Sequence, residues 1–178
     1  MEGKEQPSLS GAQSADADLG LLGNHPLSLD DKLRLTIPAR FKALLQGKYG
    51  SSDAEPITMV VTISLERQYR NVAVYPVPVW RRYVQQFENR PAVDLRSQQL
   101  HRLVTSLATP VEMDGQGRIR IDKKIVEVAQ LGKRVVLIGR GNSFEIWDER
   151  RFDAFVEDTL NNVDTMANTA MANMAVTR

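Results

Sequence analysis

The chain has 178 residues, 42% of them apolar and 25% charged, with a formal net charge of +1 and no cysteine. That composition describes a soluble globular protein of one domain, or of two small ones sharing a core. It excludes disulfides and thiolate metal sites, and no stretch approaches the roughly 20 apolar residues of a membrane span. The N-terminus shows no basic region followed by an apolar run, so a secretory signal is not expected and a cytoplasmic location is. The small net charge conceals a distribution: residues 1–20 and 153–178 each sum to −3, and the body between them to +7. A basic body with acidic ends suits a polyanionic partner.

Residues 1–20 are rich in Ser, Ala, Gly, Gln and Asp and read as a disordered tail. Leu27 and Leu29 then alternate into Asp30-Asp31-Lys32-Leu33-Arg34, and Leu35 and Ile37 alternate out of it, as in a half-buried strand. Pro38 opens a short helix with Phe41, Leu44 and Leu45 on one face, and 47–56 reads as a loop. Strands are expected at 58–64 and 72–75. A helix follows over 77–87, with Val79, Trp80, Tyr83, Val84 and Phe87 at helical spacing, until Pro91 interrupts it. Asp94 caps the next helix, whose stripe is Leu100, Leu103, Val104 and Leu107.

From Val111 the order of elements starts again. Val111 and Met113 lead into Asp114-Gly115-Gln116-Gly117-Arg118, and Ile119 and Ile121 lead out. Asp122 caps a short helix with Ile125, Val126 and Ala129 on one side. Strands at 134–138 and 143–147 flank Gly139-Arg140-Gly141-Asn142, a hairpin signal. A helix over 151–160 closes this half, with Phe152, Phe155, Val156 and Leu160 expected to face inward. Residues 161–178, rich in Asn, Ala, Thr and Met, read as a flexible tail.

The two Asp-x-x-x-Arg stretches lie 84 residues apart and head the same succession of elements, an internal repeat. One copy alone would read as an Asp–Arg pair bracing a tight turn beside solvated strand arginines. Its recurrence argues for a working surface. Arg118 and Arg120 point to the face opposite Ile119 and Ile121, and Arg34 and Thr36 away from Leu35 and Ile37. Arg40, Lys42, Lys123 and Lys124 lie off the apolar faces of the two short helices. Each arginine fork can bond a phosphate or a guanine edge in a bidentate way. The four helix residues suit phosphates, or simply form solvated faces.

Catalysis finds no support. His25 and His101 are too few for a histidine metal cluster, and Gly139-Arg140-Gly141 lacks the Lys-Ser/Thr and the helix of a phosphate loop. The expectation is no enzyme, no metal, no cofactor and no small-molecule substrate. Trp80, Trp147, Tyr75 and Phe144 read first as core, and second as a subunit interface.

The repeated Asp-x-x-x-Arg, the run Val-Tyr-Pro-Val-Pro-Val-Trp at 74–80 and Ser-Phe-Glu-Ile-Trp-Asp at 143–148 together resemble the MraZ family, over about residues 21–157. These are bacterial transcriptional regulators with two tandem SpoVT/AbrB-type domains. The resemblance implies an α+β fold of two swapped-hairpin β-barrel half-units with peripheral helices, related by a pseudo-two-fold axis. The corresponding divisions are an N-terminal tail (1–20), domain 1 (21–79), connecting helices (80–107), domain 2 (108–151), a closing helix (152–160) and a C-terminal tail (161–178). It further implies ring-shaped homo-oligomers, associated with the nucleoid, that bind double-stranded DNA at direct repeats upstream of the division and cell-wall gene cluster, their own promoter included. Arg34 and Arg118 fall on the family's motif arginines, the expected DNA contacts. Asp30 and Asp114 fall on its aspartates, which we assign to bracing the turn, because a carboxylate repels phosphate.

Two departures stand out. Where the family usually has Gly before the motif arginine, this chain has Gly117 in the second copy and Leu33 in the first. Either Leu33 takes a strained positive φ, at a cost of about 1 kcal/mol or more, or the first turn differs. The first copy also continues with Pro38, Arg40 and Lys42 where the second has Asp122, Lys123 and Lys124, and the segment around 50–55 is longer than usual. The alternative function is a ring-forming structural protein without specific DNA binding.

Overall fold

The computed structural model describes residues 20–50, 56–64, 70–89 and 94–163. The expected tails thus lie almost wholly outside the described residues, as does the segment at 51–55. Among these residues the fold is α+β, with eight strands and five helices. In chain order they are β1 (Asn24–Ser28), β2 (Arg34–Thr36), α1 (Ala39–Tyr49), β3 (Thr58–Ile63), β4 (Val72–Pro76), α2 (Val77–Glu88), α3 (Leu95–Ser106), β5 (Thr109–Glu112), β6 (Arg118–Arg120), α4 (Lys123–Ala129), β7 (Arg134–Gly139), β8 (Phe144–Asp148) and α5 (Glu149–Asn161).

All the strand pairs are antiparallel, and they form two sheets. One has six strands in the order β1-β7-β8-β4-β3-β5, and the other is the ribbon β2-β6. Each half keeps its own hairpin, β3-β4 or β7-β8, and lends its leading strand to the hairpin of the other. Thus β1 lies along β7 with Leu27 opposite Val135, and β5 along β3 with Val111 opposite Met59. The hairpins meet in the middle, where Val72 faces Ile146 and Val74 faces Phe144. The expected barrel is not seen as a closed one. In the six-stranded sheet β1 and β5 remain edges, because each chain turns away at the Asp motif into the separate ribbon.

Both halves feed one core. Leu29, Leu35, Ile37, Phe41 and Leu45 pack with their counterparts Met113, Ile119, Ile121, Ile125 and Ala129, and with Met59, Val61, Val135, Leu137, Phe144 and Ile146 of the hairpins. Burying a side chain of this size stabilises the fold by about 1.5–3 kcal/mol, so the interleaved halves depend on each other. Trp147 and Phe144 are core residues, 2% and 0% exposed. Tyr75 and Trp80 are only half-buried, in an aromatic chain that continues through Tyr83 and Phe87 to His101.

Several local expectations change. Helix α1 runs through Gly47 to Tyr49 where a loop was expected, and α5 starts at Glu149. On α5, Phe152 and Phe155 pack against Trp147, but Val156 and Leu160 are 36% and 66% exposed rather than inward. The stripe of α3 is likewise split: Val104 is fully buried, with its carbonyl accepting from Thr62 Oγ1 at 2.8 Å, whereas Leu100 and Leu103 are exposed.

Candidate nucleic-acid interface

The ribbon and the two turns that enter it are built by the same bonds twice. In the first turn the Asp30 carbonyl accepts from Leu33 N at 2.9 Å, and Asp30 N donates to Arg34 O at 3.0 Å. In the second, the Asp114 carbonyl accepts from Gly117 N at 2.8 Å, and Asp114 N donates to Arg118 O at 2.9 Å. Both turns need a residue with φ > 0 before the arginine, and both have one: Leu33 at 58° and Gly117 at 76°. The first of the two alternatives for Leu33 therefore holds; its turn is the same as the second, in spite of the side chain.

The aspartates fold back over these turns. Asp30 Oδ1 accepts from Lys32 N and Arg34 N at 2.9 and 2.8 Å, while Oδ2 accepts from Arg34 Nε and Nη2, both at 2.7 Å. Asp114 Oδ1 accepts from Gln116 N and Arg118 N at 3.0 and 2.9 Å, and its Oδ2 from Arg118 Nε and Nη2, both at 2.9 Å. Donation from the Arg34 backbone amide holds the Asp30 carboxyl below its ordinary value near 3.8; partial desolvation opposes this and the guanidinium adds to it. Asp114 is lowered in the same way, with the Arg118 amide first. Each arginine is thus fixed along its Nε–Nη2 edge, and the side chains of Arg34 and Arg118 remain 32% and 29% exposed.

The ribbon joins the two copies. Arg34 lies opposite Arg120, Leu35 opposite Ile119 and Thr36 opposite Arg118. Leu35 and Ile119 are both 0% exposed and fix the inner face. By strand alternation the other four side chains share the outer face. Beyond each strand, the chain crosses to the turn of the other copy: Ile37 N donates to Gly117 O at 2.8 Å and Ile121 N to Leu33 O at 2.9 Å. The structure therefore brings Arg34, Arg118 and Arg120 onto one surface, although Arg34 lies 84 residues from Arg118 in the chain.

The helix residues flank this surface less uniformly. Lys123 and Lys124 are exposed in the first turn of α4, which Asp122 caps by accepting from Lys124 N at 2.7 Å. Lys123 also reaches Glu127 at 3.8 Å, an exposed pair of small energetic weight. Arg40 is exposed on α1. Lys42 is half-buried and donates from Nζ to Gly115 O at 3.0 Å, tying α1 of the first half to the turn of the second. Sequence reasoning missed this strap, which joins residues 73 apart; it put Thr36 on the outward face with Arg34 but not across from Arg118, which the ribbon register shows. A cavity of about 960 Å³ lies elsewhere, between α3, α4 and the ends of β3 and β4, with Leu100, Leu103 and Val128 among its walls.

The geometry defines a class: an internally duplicated α+β protein that presents carboxylate-braced arginines on a two-stranded ribbon. Comparison with known proteins goes further. Residues 105–173 match the family model described as "MraZ protein, putative antitoxin-like". Proteins called Transcriptional regulator MraZ are similar along most of the chain. The one from Coxiella burnetii (strain Dugway 5J108-111) is 37% identical over 138 residues, 78% of this chain and 86% of its own. That from Thioalkalivibrio sulfidiphilus is 39% identical over 123 residues (69% and 76%), and that from Leuconostoc citreum 34% over 146 residues (82% and 93%). The chain belongs to the MraZ family.

Proposed function

We propose that this protein is a sequence-specific DNA-binding transcriptional regulator, with the β2-β6 ribbon as its reading head. The observation that carries the proposal is the ribbon register, which sets the two aspartate-braced arginines and Arg120 on one outer face. Bracing removes side-chain freedom before binding, so less entropy is lost when the fork meets a guanine edge or a phosphate. The relatives' name supports the regulatory role. Arg34, Arg118 and Arg120 make the base or phosphate contacts, Asp30 and Asp114 aim the motif arginines, and Arg40, Lys42, Lys123 and Lys124 serve the backbone, Lys42 also holding the second turn. The tandem domains act as one swapped-hairpin unit in a homo-oligomeric ring, whose subunits engage direct repeats upstream of the division and cell-wall genes by avidity.

Binding of the protein to its own upstream DNA, measured over a range of salt, tests this. Arg34→Ala/Arg118→Ala should keep its fold and assembly and lose about 2–6 kcal/mol of affinity, at about 1–3 per good arginine contact. Wild-type affinity should fall steeply with salt. Affinity unchanged by the double substitution, or no binding at all, would assign the arginines to bracing the turns, and would favour a ring-forming structural protein.

A further inference from the structure

The two hairpins of the six-stranded sheet are finished differently at their tips. At the β7-β8 tip the chain entering β1 runs on along the edge of β7. Gly139 N donates to Gly23 O at 2.9 Å, and Leu21 and Gly141 exchange bonds of 2.8 and 2.9 Å. Leu21 is buried there, 3% exposed, and Lys48 at the end of α1 donates to Asn142 Oδ1 of the tip at 2.8 Å. The pairs Leu27–Val135 and Val111–Met59 are equivalent, so counting along the two registers puts Ile63 and Leu107 in the places of Gly139 and Gly23. The second half departs at this point. Strand β5 pairs no further than Thr109, opposite Val61, because the residues before it are wound into α3, and Leu107 N turns back to Thr105 O.

The edge of β3 is therefore open for one more step. Across the hairpin Ser64 N donates to Asn71 O at 2.9 Å, so by antiparallel alternation Ile63 turns its N–H and C=O away from β4. Among the described residues neither group has a partner. The cavity of about 960 Å³ lies against this edge, with Ile63 on its sheet side and Leu100, Leu103 and Val128 as apolar walls. Its exposed charged residues are two arginines, Arg70 and Arg96, against the one carboxylate of Glu127. Helix α4 has 7 residues where α1 has 11, and Gly132 stands in the place of Lys48. The place that the chain fills for itself in one half is left as a groove in the other.

We infer that this groove binds an extended peptide segment of another protein, which adds to the edge of β3 and carries bulky aliphatic side chains beside carboxylates. An extended backbone is what the fold itself uses at the other tip, where Leu21 is the aliphatic side chain. One residue of the partner exchanges two hydrogen bonds with Ile63, an adjacent side chain lies against Leu100, Leu103 and Val128, and its carboxylates meet Arg70 and Arg96. Gly139 lets Leu21 cross it more closely than any Cβ would permit. Ile63 does not, so the partner keeps ordinary ladder spacing.

The probe is a fluorescein-labelled peptide with the sequence of residues 16–23, Asp-Ala-Asp-Leu-Gly-Leu-Leu-Gly. It combines leucines with carboxylates, and its last four residues supply the strand at the other tip. Anisotropy titration with the full chain should show saturable binding, with a dissociation constant on the order of 100 μM or below. Leu103→Glu and Arg96→Glu, both at exposed positions, should each weaken binding about tenfold while leaving the unfolding midpoint unchanged. Methylating the peptide amides one at a time should abolish binding at the residue facing Ile63 and spare its two neighbours. No saturable binding up to about 1 mM overturns the inference. Binding that ignores both groove substitutions also overturns it, since the peptide would then be exchanging with residues 20–23 at the other tip. Equal tolerance of methylation at every amide overturns the strand addition. If the peptide fails to bind and Leu103→Glu breaks the assembly into smaller species, the groove belongs to a second copy and the inference falls.

Discussion

Leu33 and Gly117 occupy the same place in two copies of one turn, and both are left-handed, at φ 58° and 76°. For an L-residue with a side chain this conformation costs about 1–2 kcal/mol, and Leu33 bears that cost because four hydrogen bonds to the Asp30 carboxylate close the turn around it. The two positions should respond oppositely to exchange. Gly117→Leu should destabilise the protein by about 1–2 kcal/mol, since a Cβ there also comes within 3.2 Å of Lys42 Cδ. Leu33→Gly relieves strain but frees the unfolded chain and loses the packing of a half-buried leucine, so a net change within about 0.5 kcal/mol is expected. Denaturant unfolding of the two variants measures both.

Acid should loosen the two turns together. Asp30 and Asp114 have folded values below the ordinary 3.8, chiefly because each accepts its arginine's backbone amide. With a depressed folded value, the contribution to stability is present in full above the unfolded value. It is lost as pH falls from there through the folded value. Thermal unfolding followed downward from pH 7 should therefore show a steeper loss below about pH 4 in the wild type than in Asp30→Asn/Asp114→Asn, with no divergence in slope between about pH 6 and 8. Parallel curves over the acid range would show that the carboxylates contribute as little charged as neutral.

The centre of the six-stranded sheet holds a buried carboxylate. Glu145 is 4% exposed and accepts from Asn71 Nδ2 at 2.7 Å, Trp147 Nε1 at 2.9 Å and Arg140 Nη1 at 2.5 Å. It joins the residue before β4 to β8 and to the turn of the other hairpin. Glu145→Ala leaves the donors of Asn71 and Trp147 without this acceptor, and should cost about 2–4 kcal/mol in an unfolding experiment. A loss under about 1 kcal/mol would mean that water replaces the carboxylate.

The motif turns, the alternating strands and the repeat of element order were legible in the chain because each leaves a local mark. Glycine, aspartate and period-two alternation act over a few residues. What the sequence did not disclose depends on partners far away in the chain. The strap from Lys42 to Gly115 spans 73 residues, and the bond from Asn71 to Glu145 spans 74. The opposition of Thr36 and Arg118 follows from strand exchange between the halves, which no single segment encodes. The outward turn of Leu160 was misread for a related reason. Helical periodicity marks an apolar face but does not say whether anything in the same chain covers it.

Those uncovered faces lead to the last expectation. On α3, Leu95, Leu100 and Leu103 are 68%, 39% and 42% exposed, and on α5, Val156 and Leu160 are 36% and 66% exposed, followed by Val163 at 48%. Scattered exposed apolar residues are ordinary, but several along one helix mark a surface that gains from contact. The ring assembly proposed above offers such contact. Leu95→Glu/Leu160→Glu introduces two charges where burial in the free chain is least, so the monomer's own stability should change by no more than about 0.5 kcal/mol. In an interface the same charges would be desolvated without partners, at a cost of several kcal/mol. Sedimentation velocity should therefore show the wild type as a large assembly and the variant mainly as smaller species, with nearly equal unfolding midpoints in denaturant where both are monomeric. An assembly of undiminished mass would place the subunit contacts on other surfaces and leave these helices as solvent-facing buttresses of the sheet.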